Sequence, residues 1–224
     1  NLETRRQEII ASITEQEKMT DELMKSLEAA TKLQELEDLY LPYRPKKRTR
    51  AMIARERGLE PLADMIINDT VISGDPLEIA KEYITEEVPT PEDAIQGASD
   101  IVAEIVSDSA DFRAYLRKKM WNEGFIQAEL SGEEEEQQQF LQYAEYAEPV
   151  RQMPSHRILA VNRGEKLGAL KLVLTVPGDT YVAYMVQKLE KNPKSIFADY
   201  KAAAVADAYK RLIFPALERE IRNE

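Results

Sequence analysis

The feature that most constrains the fold is the spacing of apolar residues, which recur every three or four positions along most of the chain. Near the amino terminus this spacing marks three successive segments, with Ile9 and Ile13 on the first, Leu23 and Leu27 on the second, and Leu33, Leu36 and Tyr40 on the third. Such spacing places apolar side chains on one face of an α-helix, where a neighbouring element can bury them. It predicts a mainly α fold with a multi-helix core.

Capping residues, prolines and glycines divide this helical pattern into elements. Thr20 is suited to cap the second helix, and Pro42 and Pro45 predict the end of the third helix and an extended connection. From Thr49 to Ile67 the sequence predicts two short helices joined at Gly58, which form a helix-turn-helix-like pair. The second of these helices reads PLADMIIN, and we expect so apolar and acidic a helix to lie in the core rather than in a DNA groove.

Later segments repeat the helical spacing. We predict that three of them bury apolar faces, made by Ala94, Ala98, Ile101 and Ile105, by Phe112, Tyr115, Leu116 and Met120, and by Phe140, Ala144 and Ala147. An alanine-rich helix is predicted to begin near Ser195, and its small side chains permit close packing. Pro215 is predicted to kink or end that helix.

One region departs from the helical pattern. The stretch RILAVNRGEKLGALKLVLTV has β-prone runs on both sides of a turn at Arg163–Gly168. It predicts a β-hairpin over residues 157–175, in which Arg157–Asn162 pairs with Ala169–Thr175. The run GFIQAEL, residues 124–130, can add a third strand. The predicted fold is therefore mainly α, with a small β-hairpin or three-stranded sheet.

Charge is distributed unevenly along the 224 residues, whose formal net charge is −11. Between residues 41 and 58 there are seven cations and one acid, a net charge of +6. An acidic chain repels nucleic acid at long range, but a local basic segment can contact phosphate within the Debye length of ~8–10 Å. The candidate nucleic-acid-binding residues are therefore Tyr43, Arg44, Lys46, Lys47, Arg48, Arg50, Arg55 and Arg57.

Two interpretations of this basic segment remain open. Arginine offers forked donors to phosphate oxygens and tyrosine can stack on a base, so the segment is a plausible nucleic-acid surface. Alternatively, Arg44 and Arg48 bind carboxylates of the preceding helix, such as Glu37 and Asp38. In that case the cations stabilise the fold.

The sequence gives little support for catalysis, metal binding or a membrane-spanning helix. There is no cysteine, which excludes disulfides and thiolate sites and favours a cytoplasmic location. His156 is the single histidine, so a structural hydrogen bond is a better expectation than catalysis or metal binding. No phosphate-binding loop or nucleophile elbow is present, and no apolar run has the length of a membrane helix. We therefore expect no enzyme activity, no cofactor and no bound metal.

Three stretches of the sequence resemble the Tex family of bacterial transcription accessory proteins. They are ELEDLYLPYRPKKRTRAMIARERGLEPLADMI, EPVRQMPSHRILAVNRGEKLGALKL and DAYKRLIFPALEREIRNE. The resemblance implies that residues 1–224 form a helical N-terminal and central region of such a protein. It also implies that the members of this family are cytoplasmic multidomain proteins that bind nucleic acid with little sequence preference. The resemblance further implies YqgF, helix-hairpin-helix and S1 domains downstream of this region. The start at Asn1 rather than Met and the end within a charged helical pattern lead us to expect a piece of a longer protein.

Together these observations predict a non-catalytic accessory region. It would scaffold the downstream nucleic-acid-binding domains and make weak, sequence-independent contacts with RNA or DNA. The alternative is a protein–protein interaction module that docks on the transcription machinery without touching nucleic acid. Within the chain, a possible subdivision separates helical residues 1–70 and 195–224 from residues 71–194, which contain the hairpin.

Overall fold

A computed structural model of the chain describes residues 1–44, 48–130, 147–152, 163 and 170–223. The chain divides into two compact units, residues 1–49 and residues 50–224. Each unit has a hydrophobic core of its own. The predicted fold class, mainly α with a small three-stranded sheet, is confirmed. The subdivision at residues 70 and 195 stays a prediction.

The first unit is built from α-helices that surround a small core. Its described elements are α1 (Leu2–Glu15), α2 (Asp21–Ala29), α3 (Leu33–Tyr40) and a 3₁₀ turn at Leu41–Tyr43. The core side chains are Ile9, Ile13, Leu27, Ala30, Leu36 and Tyr40. As predicted, the Thr20 hydroxyl caps α2 by accepting a hydrogen bond of 3.1 Å from the backbone N–H of Leu23.

Two expectations about α3 and its end need correction. Leu33 does not join the buried face, because it lies in the first turn of α3 and its side chain is 54% exposed. Pro42 lies within the 3₁₀ turn rather than in an extended connection. The reason is that the φ of about −65° that proline fixes suits a 3₁₀ turn as well as an extended chain.

In the second unit, helices pack around one long central helix. The described helices of its first half are α4 (Arg50–Glu56), α5 (Glu60–Asn68), α6 (Pro76–Ala80), α7 (Pro91–Ser107) and α8 (Ala110–Glu123). Gly58 follows α4 with φ of +78°, the left-handed conformation expected where a helix ends. Leu62, Ala63 and Ile66 of α5 are fully buried, so α5 is a core helix, as its composition predicted.

The buried faces of α7 and α8 differ in part from the prediction. Ala94, Ala98 and Ile101 are buried as expected. Ile105, however, is 39% exposed, because the buried side of α7 shifts to Val102 and Val106 in its last turns.

On α8, the predicted face is only half inside the core. Leu116 and Met120 are fully buried. Phe112 and Tyr115 remain half-buried at the edge of the core, where they pack against its surface.

A three-stranded antiparallel sheet follows α8. Its central strand is β1 (Phe125–Leu130), flanked by β2 (Ala147–Pro149) and β3 (Leu170–Thr175). Ile126 lies opposite Glu148 on one side and opposite Leu174 on the other. The strands predicted at residues 124–130 and 169–175 are therefore confirmed to within one residue, as β1 and β3.

The sheet corrects one detail of the prediction, and another stays a prediction. Among the described residues β3 pairs with β1, and the predicted pairing with Arg157–Asn162 lies outside the described residues, as does His156. Ala147 belongs to β2 rather than to a helix, because its backbone pairs with Gln127. Phe140 and Ala144 also lie outside the described residues.

The carboxyl-terminal part returns to helices. They are α9 (Gly178–Leu189), α10 (Ala198–Asp207), a π-helical segment at Ala208–Ile213 and α11 (Phe214–Arg222). Pro215 does not end the helical path but lies in the first turn of α11. Because proline cannot donate to the carbonyl four residues earlier, the wider turns of a π-helix suit the residues that precede it. No helix in the described ranges is both long and apolar enough to span a membrane.

A buried ion pair ties these last helices to α5. The Lys201 ammonium donates to Asp69 Oδ1 at 2.9 Å and to the carbonyls of Ile67 and Leu189 at 3.1 and 2.7 Å. Asp69 Oδ2 accepts from the backbone N–H groups of Lys191 and Asn192. Each buried charge therefore has partners, which removes most of the cost of burying it.

Candidate nucleic-acid interface

The predicted basic segment is divided between the two units. Tyr43, Arg44 and Arg48 belong to the first unit, and Arg50, Arg55 and Arg57 belong to the second. Lys46 and Lys47 lie outside the described residues. The described members of each unit therefore form a candidate surface of that unit.

In the first unit, Arg44 is held by an acid of α3. Its guanidinium forms an ion pair with Glu37, and it also lies over the Tyr40 ring, with Cζ 5.8 Å from the ring centroid. Even so, 48% of the Arg44 side chain remains exposed. The alternative in which Arg44 binds Glu37 is thus present in the structure.

Glu37 is shared between two arginines. Arg5 donates from Nε to Glu37 Oε1 at 2.6 Å and from Nη2 to Oε2 at 3.3 Å. The Arg5 hydrogen bonds, and then those of Arg44, hold the pKa of the Glu37 carboxyl below its ordinary value, although burial acts in the opposite direction. Both oxygens of Glu37 therefore have a donor in Arg5 as well as the ion pair with Arg44.

Tyr43 has a structural environment. Its ring is half-buried and packs against the core of the first unit, while its carbonyl accepts a hydrogen bond of 2.8 Å from Gln16 Nε2. Arg48, in contrast, is exposed. Of these two predicted contacts, Arg48 is the better placed to meet a ligand.

In the second unit, the three arginines lie in or directly after α4 and differ in how firmly they are held. Arg55 Nη1 donates to Glu104 Oε1 at 2.7 Å, and the Glu104 side chain is only 17% exposed. Arg57 lies 3.7 Å from Glu87, and 42% of its side chain is exposed. Arg55 therefore joins α4 to α7, whereas the Arg57 pair lies at the surface.

Arg50 and Arg57 border a surface groove between α4 and α7. The opposite side of the groove carries Asp93 and Asp100. Burial raises the pKa of the Asp100 carboxyl; its hydrogen bond from Gln96 and the charges of Arg211 and Arg50 act in the opposite direction. The groove thus presents both signs of charge, and only its α4 side favours an anion.

A second group of aromatic and basic residues was not predicted as a site. The rings of Tyr115 on α8 and Tyr184 on α9 stack, with centroids 3.8 Å apart and planes at 10°. Lys119 Nζ lies 5.9 Å from the Tyr115 centroid, and Lys188 Nζ lies 5.7 Å from that of Tyr184. The sequence does carry a signal, because each tyrosine is followed four residues later by a lysine, in YLRKK and YMVQK.

Metal-binding chemistry has no assembled site among the described residues, where no group of three or more His, Asp or Glu side chains is placed to hold an ion. The arginine and lysine side chains described above can instead bind anionic groups.

Comparison with known proteins places most of the chain in one family. The model of a family described as Tex central region-like matches residues 72–224. Unit 2 begins at residue 50, so the match covers most of that unit, including the sheet and the last helices.

Similar proteins extend the match to the amino terminus. The chain is 43% identical to the uncharacterized protein YdcI of Bacillus subtilis (strain 168) over 229 residues, which is 100% of this chain and 32% of that protein. It is 43% identical to the transcriptional accessory protein Tex of Neisseria gonorrhoeae over 181 residues, which is 80% of the chain and 24% of the relative. It is 28% identical over 233 residues, 95% of the chain, to S1 RNA-binding domain-containing protein 1 of Homo sapiens, and covers 23% of it. The chain thus spans a third or less of the length of these relatives.

Proposed function

Because this chain belongs to the Tex central region-like family of transcription accessory proteins, we propose that it is a non-catalytic helical scaffold that makes weak, sequence-independent contacts with nucleic acid. The scaffold would position nucleic-acid-binding domains elsewhere in a longer parent protein. The name of the human relative refers to an S1 RNA-binding domain, which supports RNA as one ligand class.

One observation carries the proposal of direct contact. Two surface cations of the basic segment, Arg57 and Arg44, pair with carboxylates that are exposed or shared, namely Glu87 and Glu37. Surface ion pairs of this kind contribute only ~0–1 kcal/mol. A phosphate oxygen can therefore replace the carboxylate at little cost, and condensed counterions released from the nucleic acid favour the exchange.

The same geometry reduces the set of contact residues. Arg55 and Tyr43 are assigned to the fold, because Arg55 bonds to the largely buried Glu104 and the Tyr43 ring packs on the core. The proposed contacts are Arg44, Lys46, Lys47, Arg48, Arg50 and Arg57. For Lys46 and Lys47 the proposal rests on the sequence alone.

Reversing the charge of three neighbouring cations tests this proposal. In the variant Lys46→Glu, Lys47→Glu, Arg48→Glu, we expect binding to a labelled duplex to fall below detection while the circular dichroism spectrum stays that of the parent. The matched control reverses three exposed lysines of the first unit, Lys18→Glu, Lys25→Glu and Lys32→Glu, and so changes the net charge equally. Equal loss in both variants, or none in either, would refute a contact through the basic segment.

A protein-docking module remains the second candidate function. It is favoured by the ion pairs of Arg44, Arg55 and Arg57, since cations that are paired within the fold need no external ligand. The discriminating result is unfolding of the triple variant, which would show that Lys46, Lys47 and Arg48 stabilise the protein rather than contact nucleic acid.

A further inference from the structure

We propose that the stacked tyrosines of α8 and α9, together with their lysines, form a second binding surface, specific for single-stranded nucleic acid. The surface, termed here the tyrosine–lysine platform, consists of Tyr115, Lys119, Tyr184 and Lys188. The inference deepens the proposed function because it concerns the same class of ligand, but it rests on different residues and makes a different prediction about strandedness.

The two tyrosine rings are partly exposed and are held in place by their neighbours. Neither Tyr115 nor Tyr184 is fully buried, although both pack against the core of the second unit. Phe112 meets the Tyr184 ring edge-on, with centroids 6.5 Å apart. The two stacked rings are thus held in fixed orientation by well-packed helices, and each has one face that its partner does not cover. A base that stacks on such a face finds the ring already ordered.

The ammonium groups of Lys119 and Lys188 lie close to the two tyrosine rings. Their distances of 5.9 and 5.7 Å from the ring centroids lie near the ~6 Å limit of a cation–π contact. A lysine over a partly exposed ring contributes less free energy than a stacked base does. A base can therefore take the place of the ammonium over the ring, while the flexible lysine moves to the adjoining phosphate.

The charge of the surrounding helix is complementary to such a ligand. Between Asp111 and Glu123, α8 carries four cations, Arg113, Arg117, Lys118 and Lys119, and two acids, Asp111 and Glu123 themselves. Glu123 pairs with Lys119 at 3.2 Å and also accepts a hydrogen bond from Tyr181. In a chain whose net charge is −11, this helix has a local net charge of +2.

Single strands are favoured over duplexes for a geometric reason. In a duplex the bases are stacked on one another and their faces are not available to a tyrosine ring. An acidic protein segment would satisfy the lysines but would leave the ring faces without a specific partner. The platform therefore predicts tighter binding of a short oligothymidylate than of a duplex of equal length.

The test separates stacking from charge. Tyr115→Leu keeps an apolar side chain in the half-buried site but removes the ring; we expect the affinity for oligothymidylate to fall at least about fivefold, with the salt dependence unchanged. Lys188→Gln keeps the ring and removes one phosphate contact, so the log–log salt slope should become less steep by about 0.7. Lys81→Gln is the charge-matched control, because that lysine is exposed and pairs with Glu78 away from any ring contact described here.

The oligothymidylate affinities of the two variants either support or refute the platform. Thermal melting checks that the Tyr115→Leu variant is folded. If that variant does not fold, Lys188→Gln still tests the platform, because Lys188 is exposed and its replacement should not disturb the fold. If both variants bind oligothymidylate like the parent, or if polyglutamate binds through Lys188 while oligothymidylate does not bind, the platform is refuted. If these variants lose affinity and the Lys46, Lys47, Arg48 triple variant does not, the platform stands and the contact through the basic segment fails. The reverse pattern leaves the proposed function intact and refutes the platform.

Discussion

Lys201 is the clearest case in which one residue decides the stability of the second unit. Its side chain is only 4% exposed, yet its ammonium has three hydrogen-bond acceptors. They are the Ile67 carbonyl at the end of α5, the Asp69 carboxylate just after α5 and the Leu189 carbonyl at the end of α9. Lysine is rarely buried unless it is paired in this way. The alanines that surround it in ADYKAAAV leave room for the long side chain to reach the ends of α5 and α9.

Replacing Lys201 by Met should destabilise the protein by about 3–5 kcal/mol, because Asp69 is left as a buried charge without its counter-ion. Urea unfolding followed by circular dichroism measures the change. Lys194→Met, at an exposed position, is the control and should change the free energy of unfolding by less than about 0.5 kcal/mol. Similar stability of the two variants would contradict the structural role of Lys201.

Asp69 predicts a pH dependence of stability. Burial by itself raises the pKa of its carboxyl, but the hydrogen bonds from Asn192, Lys201 and Lys191 hold that pKa below its ordinary value. A lowered pKa in the folded state means that the stabilisation is complete above the unfolded pKa of about 3.9 and is lost as the pH falls through the folded pKa. We expect the acid-induced loss of stability to be shallower in Asp69→Asn. An identical pH profile for the parent and this variant would contradict the assignment.

At the scale of elements, the junction between α8 and β1 leaves little space for a larger side chain. Gly124 lies between α8 and β1, and its N–H donates to the carbonyl of Met120 at 2.8 Å. A Cβ at this position would collide with that same carbonyl, which is fixed in the last turn of α8. At Gly97, in contrast, a Cβ would meet Cδ1 of Leu59, the end of a flexible side chain rather than backbone.

We therefore expect Gly124→Ala to be more destabilising than Gly97→Ala. Overpacking costs about 1–3 kcal/mol, and the backbone clash at Gly124 belongs at or above the upper end of that range. Thermal unfolding of the two variants provides the comparison. If Gly97→Ala were the more damaging change, the close contact of β1 with α8 described here would be wrong.

The elements also show what sequence alone can and cannot predict. The helix start at Thr20 was readable, because a capping side chain bonds to a backbone N–H only three residues later. The pairing of Arg44 with Glu37 was readable for a similar reason, since one turn of helix and a short connection separate them.

Features that depend on distant parts of the chain could not be read in this way. The strand β3 was predicted, but its pairing with β1 joins Leu174 to Ile126, and strand pairing over such a separation leaves no local pattern. The stacking of Tyr115 with Tyr184 is likewise set by how α8 and α9 pack. Their spacing to lysine was visible in the sequence, but it is equally common on solvated helix surfaces.

At the scale of the whole molecule, the two units have separate cores. The core of residues 50–224 includes side chains from α4 to α11. We predict that a fragment of residues 50–224 folds without the first unit. Urea unfolding of the fragment should show a single cooperative transition, because a core of this size is ample for a domain. Non-cooperative loss of the helical signal would show that the first unit is required.

Net charge sets the strength of nucleic-acid binding by the whole chain. The overall charge of −11 opposes association, so we expect affinity at the weak end of non-specific binding, with a Kd of ~10⁻⁴ M or weaker at physiological salt. In our proposal the basic segment acts through local phosphate contacts, within the range that screening by salt leaves.

The most direct measurement is a titration of the chain against duplex DNA at several salt concentrations. Each phosphate contact contributes about −0.9 to the log–log slope, so two to five contacts through the basic segment predict a slope of roughly −2 to −4.5. The charge-reversed Lys46, Lys47, Arg48 variant should show no binding at any of these concentrations, whereas its matched control binds. A slope near zero, or no binding by the parent even at low salt, would contradict the proposal that this scaffold contacts nucleic acid.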